Sequence, residues 1–317
     1  MRNILCVIDP TTSTQPALKR AAAFAEQIGG NLELLICDYN SFLNEERYFD
    51  ADALLKARTD LLDAHKRTLF EYAEEYRTPG VEITVDVIWD HPLHEGIVRH
   101  AIVSEADIVF KDTHQHPGLG MTGLSNSDWN LIRLCPFPLW LVKPGEYPAT
   151  PTIVAAIDPM HQNDKPAALD EEILRTSKMV AKAINGELHV FHAFDAIKLI
   201  GKTIDVLKLP TYTPPAIVEE RARQQHDESF TKITKKHDIA DECTHLISGA
   251  PHRALPKLAT EVGASLVVMG AVSRNILKRL FIGSTAELTL DRLPCDLLVI
   301  KPAWFESQVG PGWLSTD

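Results

Sequence analysis

Short apolar, β-branched runs alternate along this chain with longer stretches whose apolar residues recur at helical spacing. ILCVI at 4–8, LELLIC at 32–37, EITVDVI at 82–88, DIVF at 107–110 and LWLV at 139–142 read as strands. IVAAI at 153–157, ELHVFH at 187–192, THLI at 244–247, LVVM at 266–269 and LLVI at 297–300 read the same way. The segments between them predict helices. Residues 16–28 run up to Gly29-Gly30 and residues 171–184 up to Asn185-Gly186, residue types that close a helix in the left-handed conformation. Pro92 and Pro251 each stand at the first turn of the helix expected after the third strand, where a missing N–H costs nothing.

The two sets of elements are copies of one pattern. ILCVIDP at 4–10 matches IVAAIDP at 153–159, ADIVFKD at 106–112 matches ASLVVMG at 264–270, and RLCPFPLWLVKP at 133–144 matches RLPCDLLVIKP at 292–302. Strands that alternate with helices predict parallel sheets joined by right-handed crossovers. The expected fold is therefore α/β, two tandem doubly wound, Rossmann-like domains with five-stranded parallel sheets. Their bounds are 1–146 and 150–303, with KPGEYPATPT at 143–152 as the joint. Residues 304–317 show no periodicity and are expected to form a loosely attached tail.

Charge narrows the range of partners. With 43 acidic against 32 basic residues, the net charge is -11, which repels nucleic acid and anionic membrane surfaces. Neither direct nucleic-acid binding nor membrane insertion is expected. Five scattered cysteines without C-x-x-C spacing suggest reduced, buried thiols rather than zinc ligands or a disulfide framework. The first apolar run stops at Asp9, too short for a signal-peptide core, and the expected location is cytoplasmic.

Several of these motifs carry a resemblance. The strand ends VIDP and AIDP, the Gly249-Ala250-Pro251 turn, VVMG, GST at 283–285 and LLVIKP together resemble the universal stress protein family, in its tandem two-domain form. VFKDTHQH and DWNLIRLCPFPLWLVK extend the resemblance through the first half. It implies a non-enzymatic stress-response protein supporting survival under stress, DNA-damaging conditions included. It also implies pairing of domains through their last strands, and a homodimer.

Nucleotide-binding members of that family carry G-x-x-G, nine residues, then G-[ST]. Glycines there let the backbone turn off a strand tip, and the helix that follows directs free N–H groups at an anion. In the second half the pattern is Gly270, then Ser273 in place of the second glycine, then Gly283-Ser284. Candidate nucleotide- or anion-binding residues are thus Asp158, Gly270, Ser273, Arg274, Gly283, Ser284 and Thr285, with Lys278 and Arg279 as further cations. The cofactor this implies is ATP with Mg²⁺, Asp158 facing ribose or metal, with or without slow hydrolysis. Each residue also has a plainer use: Ser284 as a helix cap, the cations as a solvated face. In the first half Lys111 stands for the first glycine, His114 for the second and Leu124-Ser125 for Gly-Ser, a set that predicts no nucleotide there.

The remaining constellations are weaker. His91, His94, His100, His114 and His116 have no spacing specific to a metal, so exposed or capping histidines are expected. No Ser/His/Asp order, paired acids or G-x-S-x-G elbow supports hydrolytic chemistry, and no catalytic residue is assigned. Asp9 is expected to start a loop. A long insert at 195–217 carries Ile197, Leu199, Ile200, Ile204, Val206, Leu207 and Leu209, which either cap the core or line a pocket for an amphiphile.

Overall fold

The computed structural model describes residues 1–44, 50–113, 124–160, 167–195, 216–271, 289–290 and 292–310. The chain divides into two compact units, Met1–Glu146 with residues 304–310, and Tyr147–Ala303. Val309 is buried.

In the first unit the strands are β1 (Asn3–Val7), β2 (Asn31–Asp38), β3 (Ile83–Trp89), β4 (Ile108–Asp112) and β5 (Leu139–Val142). They pair in parallel in the order β3-β2-β1-β4-β5. The helices are α1 (Pro16–Ile28), α2 (Ala51–Glu75), α3 (Leu93–Val103) and α4 (Asn126–Leu134). The second unit repeats this order as β10-β9-β6-β7-β8, with β6 (Thr152–Ala156), β7 (Glu187–Phe194), β8 (Thr244–Ser248), β9 (Ala264–Gly270) and β10 (Asp296–Ile300). Its helices are α5 (Ala167–Ala183), α6 (Ala216–Lys236) and α7 (Pro251–Glu261). The strand order reverses between β1 and β4, and again between β6 and β9. A doubly wound sheet opens a crevice at such a point, at the carboxyl ends of its strands.

The apolar runs form the centre of each sheet because they are covered on both faces, and β4, β5 and β10 are buried throughout. In the first core Trp140, Phe24 and Phe110 meet at ring-centroid distances of 4.8 to 5.9 Å. The helix stops behave as the sequence predicts: Gly29 has φ 62° and Asn185 φ 51°. Gly186 answers a different need, since a Cβ there would stand 2.7 Å from the Pro151 carbonyl.

Two boundaries differ from expectation. Pro92 caps α3, following a cis peptide bond, whereas Pro251 is the first residue of α7. Helix α5 begins at Ala167, not at residue 171. The added turn carries Leu169 and Asp170, both fully buried, and their packing draws it into the helix.

Candidate functional site

Asp158 follows β6 and Gly270 ends β9, so both stand at the switch point of the second unit. The Asp158 N–H donates to Asp170 Oδ1 at 3.1 Å, which ties the crevice edge to the first turn of α5. Gly270 keeps strand geometry, paired with Ile300. A Cβ on it would lie 2.7 Å from Leu169 Cδ2 and 3.2 Å from Ile173 Cδ1. The glycine therefore serves the close approach of α5, rather than a sharp turn. Ser273, Arg274, Lys278, Arg279, Gly283, Ser284 and Thr285 lie outside the described residues, as do Ile197, Leu199, Ile200, Ile204, Val206, Leu207 and Leu209.

The first unit treats the same place in the opposite way, and its register agrees with the match of ADIVFKD to ASLVVMG while moving the counterpart of the motif's first glycine from Lys111 to Asp112. Asp112 pairs with Val142 as Gly270 pairs with Ile300, so Asp112 is the counterpart of the glycine and Lys111 that of Met269. A loop of different length lets sequence matching slide; hydrogen-bonded strand pairing does not. Asp112 Oδ1 accepts the Ala17 N–H at 2.8 Å, satisfying one of the free donors at the start of α1. Lys111 Nζ donates to Asp128 Oδ1 at 2.9 Å and to the Asp112 carbonyl at 2.8 Å.

Asp128 is fully buried and closes a capping box on α4: its Oδ2 accepts the Ser125 N–H at 2.8 Å, while Ser125 Oγ accepts the Asp128 N–H at 3.1 Å. A carboxylate of the chain itself thus occupies the helix start that would face a phosphate. His114 and His116 lie outside the described residues. Asp9 starts its loop as expected, its Oδ1 accepting from the N–H and hydroxyl of Thr11 at 2.8 and 2.6 Å.

One arrangement beside the second crevice escaped the sequence reading. His192, near the end of β7, and His226, on α6, are both 2% exposed, and their Nε2 and Nδ1 stand 2.7 Å apart. His192 Nδ1 lies 3.1 Å from the Ile157 carbonyl, next to Asp158. Phe194 stacks on His226 and Phe230 lies against His192. Burial pushes the His226 imidazole below its ordinary range, and the Asp158 carboxylate counteracts only part of that. His192 falls in an apolar run and His226 in a polar helix, so no spacing links them.

Three of the histidines considered above have structural partners or surroundings. His91 stacks on Tyr39 at 4.5 Å, and His100 Nε2 lies 2.9 Å from Glu33 Oε1. Burial holds His94 below its ordinary range.

Two repeats of a doubly wound unit, each with Asp after its first strand, define a class of tandem two-domain α/β folds. The sequence profile of the universal stress protein family matches residues 1–143 and 150–301, and the chain belongs to that family. It is 30% identical over 309 residues to universal stress protein E of Escherichia coli K12, covering 97% of this chain and 96% of that one. The same figures hold for universal stress protein E of Salmonella typhi. A crystal structure from Pseudomonas aeruginosa UCBPP-PA14, 26% identical, covers 95% of this chain and 93% of its own with a TM-score of 0.72. Among the described residues, no helix is long and apolar enough to cross a membrane.

Proposed function

We propose that this chain is a non-enzymatic stress-response protein in which the second unit binds a small anionic ligand, ATP with Mg²⁺ foremost, while the first unit binds none. The observation that carries this reading is the contrast at the equivalent strand ends. In the first unit Asp112 puts a carboxylate at the strand tip and Asp128 takes the helix start. In the second unit Gly270 and Met269 stand in place of Asp112 and Lys111, so that carboxylate is gone. The loop that follows carries Arg274, Lys278 and Arg279 in an acidic protein.

Because Gly270 is accounted for by the packing of α5, the fit to a nucleotide rests on the other candidates. Asp158 would face ribose or Mg²⁺, and Gly283, Ser284 and Thr285 would offer backbone N–H groups and hydroxyls to phosphate. The family's role suggests that such binding serves survival under stress, DNA-damaging conditions included. Survival of cells lacking the chain after ultraviolet exposure, unchanged from wild type, would refute that role.

Thermal unfolding of the purified protein against Mg-ATP tests the binding. A rise in midpoint that Gly283→Leu removes is expected, since a ligand held only by the folded state stabilises in proportion to the logarithm of its concentration. No rise at millimolar ATP would refute it. A second reading, an amphiphile held by the insert at 195–217, is favoured by the aliphatic residues that the insert carries, Ile197, Leu199, Ile200, Ile204, Val206, Leu207 and Leu209. A midpoint raised by a single-chain phospholipid below its micelle concentration, and not by ATP, would select that reading.

A further inference from the structure

At the start of β7, remote in sequence from the switch point, four side chains converge that the stress-protein reading does not use. Glu187 and His189 project from one face of β7, Cys243 ends a 3-10 turn before β8, and His245 lies on β8. His189 Nε2 is 3.5 Å from Glu187 Oε2, and Cys243 Sγ is 3.8 Å from Glu187 Oε1. The ligand atoms of these three residues all lie within 4.8 Å of one another. On its other side, His189 Nδ1 stands 2.8 Å from His245 Nε2, with the rings within 17° of coplanar.

We infer that Glu187, His189 and Cys243 bind a divalent transition metal of the zinc type, with His245 as the outer partner that orients His189. Tetrahedral zinc holds sulfur at about 2.3 Å and nitrogen or oxygen at about 2.0–2.2 Å, which sets its ligand atoms roughly 3.3–3.8 Å apart. Two of the separations observed here already fall at that spacing. The chemistry agrees as well. One thiolate and one carboxylate neutralise a divalent charge, and sulfur with imidazole selects zinc over magnesium or calcium.

When His189 Nδ1–H donates across the 2.8 Å contact to His245 Nε2, His189 Nε2 keeps its lone pair toward Glu187 and Cys243. Metal-bound histidines regularly carry such an outer partner. Glu187 is 58% exposed at its side chain, so water has access to the fourth position.

The first unit shows what the same place looks like when it is closed. Leu35 pairs with Asp86 as Phe191 pairs with His245, so Glu33 and Asp86 hold the positions of His189 and His245. There His100 of α3 lies between the two carboxylates, at 2.9 and 3.6 Å. Counting back from the left-handed residues after each helix, Glu105 and Gly263, the counterpart of His100 in α7 is Leu258. The second unit thus lacks the histidine between the pair and has a thiol beside it instead.

Binding forms a metal–sulfur bond and releases the thiol proton to water. Because the thiol must give up its proton to bind, uptake weakens as pH falls.

Untagged protein, stripped with chelator and titrated with Co²⁺, tests the site. The expected result is a thiolate-to-cobalt charge-transfer band at one equivalent, abolished by Cys243→Ser and by His189→Gln and displaced by Zn²⁺. His245→Gln should weaken Co²⁺ binding about 10- to 100-fold, as loss of an outer partner does. Glu187→Gln, at an exposed position, should weaken binding while leaving the metal-free unfolding midpoint unchanged, which separates ligand loss from misfolding. Absence of the band in the wild type, or a band retained in Cys243→Ser, would overturn the assignment. So would an imidazolium signal from His189 at neutral pH that Zn²⁺ leaves unaltered, since a protonated His189 bridging Glu187 accounts for the same distances without a metal.

Discussion

Replacing Lys111 with methionine tests whether the first unit has internalised its charges. The lysine side chain is 11% exposed and its partner Asp128 fully buried, so Lys111→Met leaves a carboxylate out of water without its cation. Removing one member of such a pair costs about 3–5 kcal/mol. Asp128 retains the Ser125 N–H and the positive end of α4, which places the expected cost near the lower limit, about 3 kcal/mol. In a unit of this size 1 kcal/mol moves the midpoint by about 2–4 °C, so a fall of roughly 6–12 °C is expected. Urea titration followed by circular dichroism measures the free energy, and calorimetry measures the midpoint. Asp128→Asn preserves the cap but removes the charge, so the double variant Lys111→Met/Asp128→Asn should cost less than the two single changes summed, by at least about 1 kcal/mol. A single-variant cost below about 0.5 kcal/mol, or strict additivity, would show that the pair is solvated and the argument from closure wrong.

Other consequences concern titration. Burial, followed by the nearby Asp90 and Asp38 carboxylates, pushes the Cys37 thiol up to about 12, and burial with Asp112 raises that of Cys6 well above its ordinary value. Neither should react with a disulfide reagent at pH 8 in the folded protein, and both should react once it is unfolded; prompt labelling of either in native buffer contradicts the burial. Burial lowers His226 and His245 below the usual 6.5. Because the unfolded chain binds protons there more readily than the folded one, these two groups make stability rise with pH up to about 6.5 and fall as pH drops below it. Nuclear magnetic resonance titration of their ring protons should give midpoints below 6.5; a midpoint above it for either would reverse that sign.

Most of the fold was legible because burial on both faces of a parallel sheet leaves continuous apolar runs, and because duplication displays each run twice. The ends of α1 followed from Pro16 and Gly29, whose backbone preferences act locally. The beginning of α5 was not legible: Leu169 joins the helix because Gly270, far along the chain, leaves room for it. The same distance hid the histidine pairs, since His192 meets His226 and His189 meets His245 only through the pairing of strands and the packing of α6. Lys111 was set against Gly270 by the spacing of the loop motif, although the strand match itself already aligned Asp112 with that glycine. The place of Asp158 just after β6 was legible from its strand-end motif, whereas its backbone tie to Asp170 depends on the unanticipated turn of α5.

The exchange of Asp112 for Gly270 also bears on how far the halves have separated as duplicates. Asp112→Gly would remove the acceptor from the Ala17 N–H, a loss of about 1 kcal/mol where a helix start is left uncapped. It would not recreate the other arrangement, because α1 has no turn before Pro16 to advance into the vacated space as Leu169 does in α5. The opposite change, Gly270→Asp, would drive a side chain into Leu169 and Ile173. Each half has thus acquired a helix length suited to its own strand-end residue, and no single substitution leads back. Divergence between the copies is locked by geometry, so any attempt to equip the first half with the second's crevice must move a helix before it changes a residue.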